Sequence, residues 1–247
     1  MRILISGLKG FMGNEVARLA TKGYRGAELA YGVDPAEGPA PVPCYPSFAE
    51  APADVDVVVD FSHHSCTQDL LAYAVKNGLP LVLATTGQTE EERAAITKAA
   101  ESIPLFFAAN YSLGIALLIE LARKTAAAMP DAEIEIVEIH HDRKVDAPSG
   151  TALAIADAIR QIRPESTVHS GRSGMGKRTP EEIGIHAVRM GNVVGIHEVM
   201  IGTQNQTITL KHEAHSRALF AEGALAAADF LMGKPAGLYD MTSLLDG

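Results

Sequence analysis

Short apolar runs separated by amphipathic stretches set a regular alternation along the first hundred residues. Residues 3–6 read as a buried strand and 14–22 as a helix, and 27–33 form a second strand that ends on Asp34. Residues 35–52 are rich in proline and read as a loop, with room for one short strand near Cys44. A third strand at 55–60 precedes a helix at 67–77 that stops on Gly78, a residue suited to the left-handed position closing a helix. A strand at 81–84, a helix at 90–101 and a strand at 105–108 continue the order. Such alternation predicts right-handed βαβ crossovers and a doubly wound parallel sheet, an α/β arrangement.

The pattern then changes. Residues 113–129 form a long alanine-rich helix, and 133–139 alternate Glu and Ile at period two, as in a strand with one buried face. A helix at 151–163 is followed by strand-like stretches at 183–189, 193–201 and 206–212, then by an alanine-rich helix at 218–232. Successive strands with few helices predict a second, α+β domain built on an open mixed sheet. The expected division is 1–111 with 217–247, and 112–216. An uncovered face on that second sheet would be a liability, so association with further copies of the chain is expected.

Composition removes several classes of partner. A 247-residue chain that is 47% hydrophobic buries a sizeable core, and its net charge of −9 repels nucleic acid and anionic membrane. Tryptophan is absent and aromatics are 5%, too few for a base-stacking platform. No apolar run reaches the roughly 18 residues of a membrane span. Two cysteines, Cys44 and Cys66, make no disulfide framework. With a strand pattern from residue 2 onward, no secretory leader is expected, and the cytoplasm is the expected compartment. An acidic chain that binds an anion must gather positive charge locally, and Arg172, Lys177 and Arg178 are candidates beside the loop described next.

That loop is His140-His141-Asp142-Arg143-Lys144-Val145-Asp146-Ala147-Pro148-Ser149-Gly150-Thr151. Imidazoles, a guanidinium and an ammonium follow a strand, and a small-residue step opens a helix. Backbone N–H groups at a helix N-terminus attract anions, while His140, His141 and Lys144 can move protons or pair with carboxylates. A small, multiply charged carboxylate is the guest this chemistry suits.

A second motif, Gly7-Leu8-Lys9-Gly10-Phe11-Met12-Gly13, follows the first strand and opens the first helix. Glycines there let backbone approach a pyrophosphate, the mark of a Rossmann-like dinucleotide site, although the spacing is GxxGxxG with Lys9 in the middle. Asp34, about twenty residues on, is placed to accept from ribose hydroxyls and to repel a 2′-phosphate, so NADH is favoured over NADPH. Ala84-Thr85-Thr86-Gly87 and Ala108-Ala109-Asn110-Tyr111-Ser112 fall at the carboxyl ends of later strands, where ligands of such sheets bind, although Thr89 and Ser112 also suit plain helix caps. His63, His64 and Cys66 carry metal-ligating atoms, but no neighbouring cluster completes a tetrahedron, and no metal is expected. His212, His215 and Arg217 read as structural.

Both halves together resemble the dihydrodipicolinate reductase family. The most specific stretch runs from Glu138 through the His140 loop to Leu153. It is supported by Asp60-Phe61-Ser62-His63, Ala84-Thr85-Thr86-Gly87, Ala108-Ala109-Asn110-Tyr111-Ser112, Val188-Arg189-x-Gly191 and Gly195-x-His197. The resemblance implies reduction by NAD(P)H, with loss of water, of a cyclic imine dicarboxylate, 4-hydroxy-tetrahydrodipicolinate, in lysine biosynthesis. It implies proton transfer by His140 and Lys144, and carboxylate binding by His141, Lys144, Ser149, Gly150 and Thr151. Cofactor contacts are expected from Gly7, Leu8, Lys9, Gly10, Phe11, Met12, Asp34, Ala84, Thr85, Thr86, Ala108, Ala109, Asn110 and Tyr111. A homotetramer built through second-domain sheets is also implied. Phe11 stands where the family commonly carries an arginine that would meet the NADPH phosphate, which again favours NADH, and His64 replaces a frequent proline. The competing readings are another two-domain dehydrogenase, such as homoserine or aspartate dehydrogenase, and a nucleotide-sensing protein without turnover.

Overall fold

The computed structural model describes residues 1–247 and divides into two compact units, Met1–Leu113 with Ala218–Gly247, and Gly114–Arg217. In the first unit β1 (Arg2–Ser6), β2 (Glu28–Val33), β3 (Cys44–Tyr45), β4 (Val57–Asp60), β5 (Leu81–Leu83), β6 (Pro104–Phe107) and β12 (Gly237–Tyr239) form one sheet in the order β12-β6-β5-β4-β1-β2-β3. Every pairing is parallel. Helices α1 (Phe11–Thr21), α2 (Thr67–Asn77), α3 (Glu90–Ala99) and α6 (Ala218–Leu231) belong to this unit, as does the short α7 (Met241–Asp246). The central strands are largely apolar because parallel strands there are covered on both faces, and Ile3, Leu4, Ile5, Val57, Val58 and Val59 are each fully buried. Chain order reverses between β1 and β4, which makes their carboxyl ends the switch point at which such sheets bind ligands.

Local signals place most of these elements. Thr89 accepts from the Glu92 N–H and Glu92 reaches back to the Thr89 N–H, a reciprocal cap for α3. Gly78 closes α2 at φ +63°. Helix α1 begins at Phe11, three residues earlier than the apolar pattern predicts, because Gly10 in extended conformation serves as its cap. That start puts Phe11 and Met12 in the first turn. β12 and α7 were not foreseen; β12 is three residues long, and α7 is held by Asp240, whose carboxylate accepts from Ser243.

The second unit has five strands in the order β11-β10-β7-β9-β8. They are β7 (Glu133–His140), β8 (Thr167–Ser170), β9 (Glu182–Arg189), β10 (Gly195–Thr203) and β11 (Gln206–Ala214), with α4 (Leu113–Ala128) and α5 (Gly150–Arg160). β7 runs parallel to β9 and antiparallel to β10, so the sheet is mixed. β8 was also missed: its four residues are all exposed and lack an apolar stripe. Ile134, Ile136, Ile183, Ile185, Val199 and Ile201 meet Ile115, Leu118, Ala122, Ile155 and Ile159 in one core. The alternation of β7 carries straight on through this buried face. Ile134 and Ile136 are followed at period two by Glu138 and His140, which are 0% and 8% exposed. Polar chemistry is thereby set into the core row at the carboxyl end of β7.

Candidate functional site

At the switch point of the first unit the three motif glycines do different work. Gly7 has φ +76°, and a Cβ there would meet the Phe61 carbonyl oxygen at 2.5 Å. A Cβ on Gly13 would lie 2.0 Å from the Gly7 carbonyl oxygen, so α1 packs directly on the turn. Gly10 is the cap of α1 and supplies no side chain to satisfy the first N–H groups of the helix. Helix N-termini of this kind attract anions through their first amides. Asp34 braces the turn: its Oδ2 accepts from the Lys9 N–H at 2.9 Å and its Oδ1 from the Ala36 N–H at 2.9 Å. The Lys9 ammonium donates to the Ala36 carbonyl.

A cavity of about 610 Å3 opens beside this turn. Of the residues expected to contact a cofactor, Phe11, Met12, Ala84, Thr85, Thr86, Ala109, Asn110 and Tyr111 line it. Gly7, Leu8, Lys9, Gly10, Asp34 and Ala108 do not line it; Leu8 is buried at 1% exposure, where it packs on Gly32. Phe61, Ser62, His63, His64 and Phe220 also line the cavity, and nothing in the chain pattern assigned them there. Phe220 arrives through a backbone contact: a Cβ on Gly223 would fall 1.6 Å from the Tyr111 carbonyl oxygen, so α6 runs flush against that loop.

Beneath the cavity Asp60 is 1% exposed. Its Oδ1 accepts from the Ser62 hydroxyl at 2.6 Å and its Oδ2 from the Thr85 hydroxyl at 2.6 Å, tying together the loops after β4 and β5. Burial pushes this carboxyl up, against the hydroxyls that stabilise its charge. The pair His63 and His64 is engaged within the protein: His63 Nδ1 lies 2.9 Å from Ser65 Oγ, and His64 Nδ1 lies 3.2 Å from Glu92. No group of three His, Cys, Asp or Glu is arranged to hold a metal ion.

The second unit gathers its polar groups around Glu138. His140 Nδ1 lies 2.5 Å from Glu138 Oε2, Arg189 donates to both carboxylate oxygens at 2.8 Å, and the Ser149 N–H donates to Oε1 at 3.0 Å. Burial opposes ionisation of Glu138, but Arg189, His140 and Ser149 outweigh it, and the carboxyl lies below its ordinary range. Strand register explains the assembly, since Glu138 stands opposite His197 on β10, and His140 opposite Arg189 on β9. His197 Nε2 lies 3.0 Å from Ser149 Oγ, and its ring meets that of His140 edge to face at 5.1 Å.

Ser149 is 2% exposed and caps α5, accepting from the Ala152 N–H at 3.2 Å. Both its N–H and its hydroxyl are thus used inside the protein. Gly150 is exposed, and Thr151 is half-buried in the first turn of α5. Lys144 donates to Asp146 Oδ1 at 2.8 Å, and the Gly150 N–H bonds the same carboxylate, so Asp146 titrates below the usual range, chiefly through Lys144. His141 has a buried Nδ1 with no partner, and burial, then Arg143 and Arg217, hold its titration low. His212 presses its ring on Gly114, where a Cβ would lie 2.7 Å from Nε2. The expected reserve of positive charge at Arg172 and Arg178 is corrected: Arg172 pairs with Glu182, and Arg178 with Glu133 at 3.2 Å. Opposite charges on neighbouring strands consume it. Lys177 is exposed.

Burial, followed by repulsion from His140, depresses His197 to about 4 from 6.5. The unfolded chain takes up a proton at this residue below pH 6.5 and the folded chain does not, so stability conferred by the neutral ring is present above 6.5 and lost as pH falls toward 4. The full loss is about 3 kcal/mol. The stability difference between wild type and His197→Gln, read by urea melts, is expected to shrink between pH 7 and 4.5. A constant difference would rule this out.

A parallel nucleotide-type sheet with an open helix N-terminus, joined in one chain to a mixed-sheet unit rich in proton-transfer groups, defines an NAD(P)H-dependent oxidoreductase. Residues 1–111 match the dihydrodipicolinate reductase N-terminus and 114–245 the dihydrodipicolinate reductase C-terminus, and the chain belongs to that family. The 4-hydroxy-tetrahydrodipicolinate reductase of Caldanaerobacter subterraneus subsp. tengcongensis is 45% identical over 99% of this chain and 98% of its own. That of Alkaliphilus metalliredigens is 42% identical over 99% of both. Dipicolinate-bound dihydrodipicolinate reductase from Paenisporosarcina sp. TG-14 superposes with a TM-score of 0.83 at 26% identity over 97% of both chains. Aspartate dehydrogenase from Thermotoga maritima shares the fold alone, at a TM-score of 0.53 and 16% identity over 95% of this chain and 98% of its own. The activity that accompanies the family is NAD(P)H-dependent reduction of 4-hydroxy-tetrahydrodipicolinate in the diaminopimelate route to lysine.

Proposed function

We propose that the β7–α5 loop takes the carboxylates of the ring substrate, that His140 and Lys144 handle its protons, and that the first-unit cavity takes NADH in preference to NADPH. The observation that carries the substrate reading is Asp146. Its carboxylate rests on the Lys144 ammonium and the Gly150 N–H, so the donors at the start of α5 already bind a carboxylate of the protein's own. Lys144, Gly150, Thr151 and His141 contact the substrate, and Ser149 works from beneath, fixing α5 and the two imidazoles. The dinucleotide, when bound, supplies a hydride to the conjugated imine formed by loss of water. Negative charge then develops on the ring nitrogen system, and the Lys144 ammonium, whose side chain is 21% exposed, stabilises it where water is scarce. His140 offers Nε2 for proton transfer because Nδ1 is committed to Glu138.

On the cofactor side the α1 amides meet the pyrophosphate, with the turn from Gly7 to Met12 as their frame. Asp34 accepts from the ribose with its remaining lone pairs, and Phe11 brings no positive charge. Ala84, Thr85, Thr86, Ala108, Ala109, Asn110 and Tyr111 border the nicotinamide half. In an assay that generates the ring in situ from pyruvate and aspartate semialdehyde with the preceding synthase, NADH oxidation is expected to depend on the synthase. Asp34→Ser is expected to weaken NADH by about tenfold or more, and NADPH less. Equal losses remove the ribose role, and no consumption with either cofactor removes the function. A homotetramer through the outward face of the second-unit sheet fits its half-buried Val137, Ile139 and Met200. A monomer mass at all concentrations by sedimentation would overturn it. Location in the cytoplasm fits a biosynthetic enzyme in which no helix is long and apolar enough to cross a membrane.

A further inference from the structure

We propose that Glu138 is a positioning residue for the reaction, its buried carboxylate holding His140 as the Nδ1–H tautomer with Nε2 open, and anchoring the start of α5 to the same point. The inference rests on the assignment of His140 to proton transfer. Glu138 is 0% exposed and meets four nitrogen groups, two Arg189 N–H donors, the Ser149 N–H and His140 Nδ1. Each oxygen takes two of them. Three of the four are donors whatever the tautomer of the ring, so the site favours an ionised carboxylate. Because that carboxylate has no proton to give, the proton in the 2.5 Å contact sits on His140 Nδ1, and the opposite nitrogen is left as the acceptor or second donor.

The placement argues for more than a stabilising ion pair. Glu138 interrupts an aliphatic row, Ile134 and Ile136, on the core face of β7, and a buried ion pair there is no better for stability than apolar side chains. What the acid adds is control of one imidazole and one helix start. Groups facing His140 from the other elements agree with this. The guanidinium of Arg189 arrives from β9 and offsets the charge of Glu138. His197 on β10 is held neutral by burial and brings no second positive charge. Gly195, also on β10, presents bare backbone, since a Cβ there would come within 3.1 Å of His140 Nε2. Lys144 and Asp146 pair with each other on the loop that follows β7.

The test exploits what glutamine cannot do. At position 138 its amide NH2 must face an Arg189 donor together with either His140 or Ser149. Facing His140 it donates to Nδ1 and drives the proton to Nε2. The ring 15N signals of His140 and the steady-state constants are compared in wild type, Glu138→Gln and Glu138→Asp, with NADH binding by fluorescence as the check on folding. Wild type is expected to show Nδ1–H. Glu138→Gln is expected to lose that tautomer and to lower kcat by about 10²-fold or more, with NADH affinity unchanged, and Glu138→Asp to recover both in part. A Glu138→Gln protein that keeps Nδ1–H and a kcat within threefold of wild type overturns the proposal. Should that variant not bind NADH, Glu138→Asp decides: loss of the tautomer with unimpaired kcat overturns it as well. His140→Gln separates the two levels. Full activity there removes the role of His140 itself, whereas an inactive His140→Gln beside a fully active Glu138→Gln removes only the role of Glu138.

Discussion

Lys144→Ala is expected to lower kcat by about 10²-fold or more while leaving NADH affinity and the fold intact. The ammonium is part-buried, 2.8 Å from Asp146, and sits on the same loop as His140. If it meets the ring as charge develops after hydride addition, its removal takes away an interaction made chiefly in the transition state, so kcat and kcat/KM fall together. The cost in stability is small, because Asp146 is 59% exposed and a pair of this kind contributes at most about 1 kcal/mol. Steady-state kinetics decide between the two roles open to Lys144. An unchanged kcat with a raised KM would make it a carboxylate binder only.

The second large effect is structural in origin and functional in outcome. Gly13→Ala is expected to abolish measurable NADH binding and to destabilise the first unit by about 3 kcal/mol or more, a fall of roughly 6–12 °C in Tm. The added carbon would lie 2.0 Å from the Gly7 carbonyl oxygen and 2.9 Å from the Leu8 Cα, both backbone atoms that cannot swing aside. Helix α1 must then lift from the turn, and its open N–H groups lose their aim at the pyrophosphate. Gly10→Ala is the milder comparison: there the same Gly7 carbonyl oxygen is 3.3 Å away, a tight contact relieved by a shift of a few tenths of an ångström, and φ is ordinary, so a smaller loss of both quantities is expected. Fluorescence titration and thermal melts read both quantities. A Gly13→Ala protein with wild-type Kd and Tm would show that the turn is not the cofactor cradle.

How far each feature was legible follows from the range of the forces that make it. The glycine turn, the Gly78 and Thr89 caps and the period-two stripe of β7 are local, written within a few residues of one another, and could be read directly. β8 and β12 were not legible: one has four exposed residues and the other three residues in all, too short for any period to show. The His140 loop was legible as a charged segment that follows a strand and opens a helix. Its internal division of labour was not, because Ser149 looks like a ligand in sequence and is in fact a buried cap whose hydroxyl faces His197. The same holds for Arg172 and Arg178, whose charge is spent on Glu182 and Glu133.

By itself the chain determined the alternation of elements, the two kinds of sheet, the glycine turn and the charged loop before α5, since periodicity, capping and glycine geometry act over short stretches. Only the tertiary structure decided what stands next to His140. Glu138 reaches it from two residues away on the same strand face, but Arg189, His197 and Gly195 come from neighbouring strands more than 45 positions along the chain. Strand register, not sequence spacing, brings them against His140 and Glu138. In the same way Phe220 joins the cavity of the first unit because Gly223 lets α6 lie on the Tyr111 backbone. Those neighbours set the polar contacts, charge and room around His140 and the cavity, and they are properties of packing that no local pattern encodes.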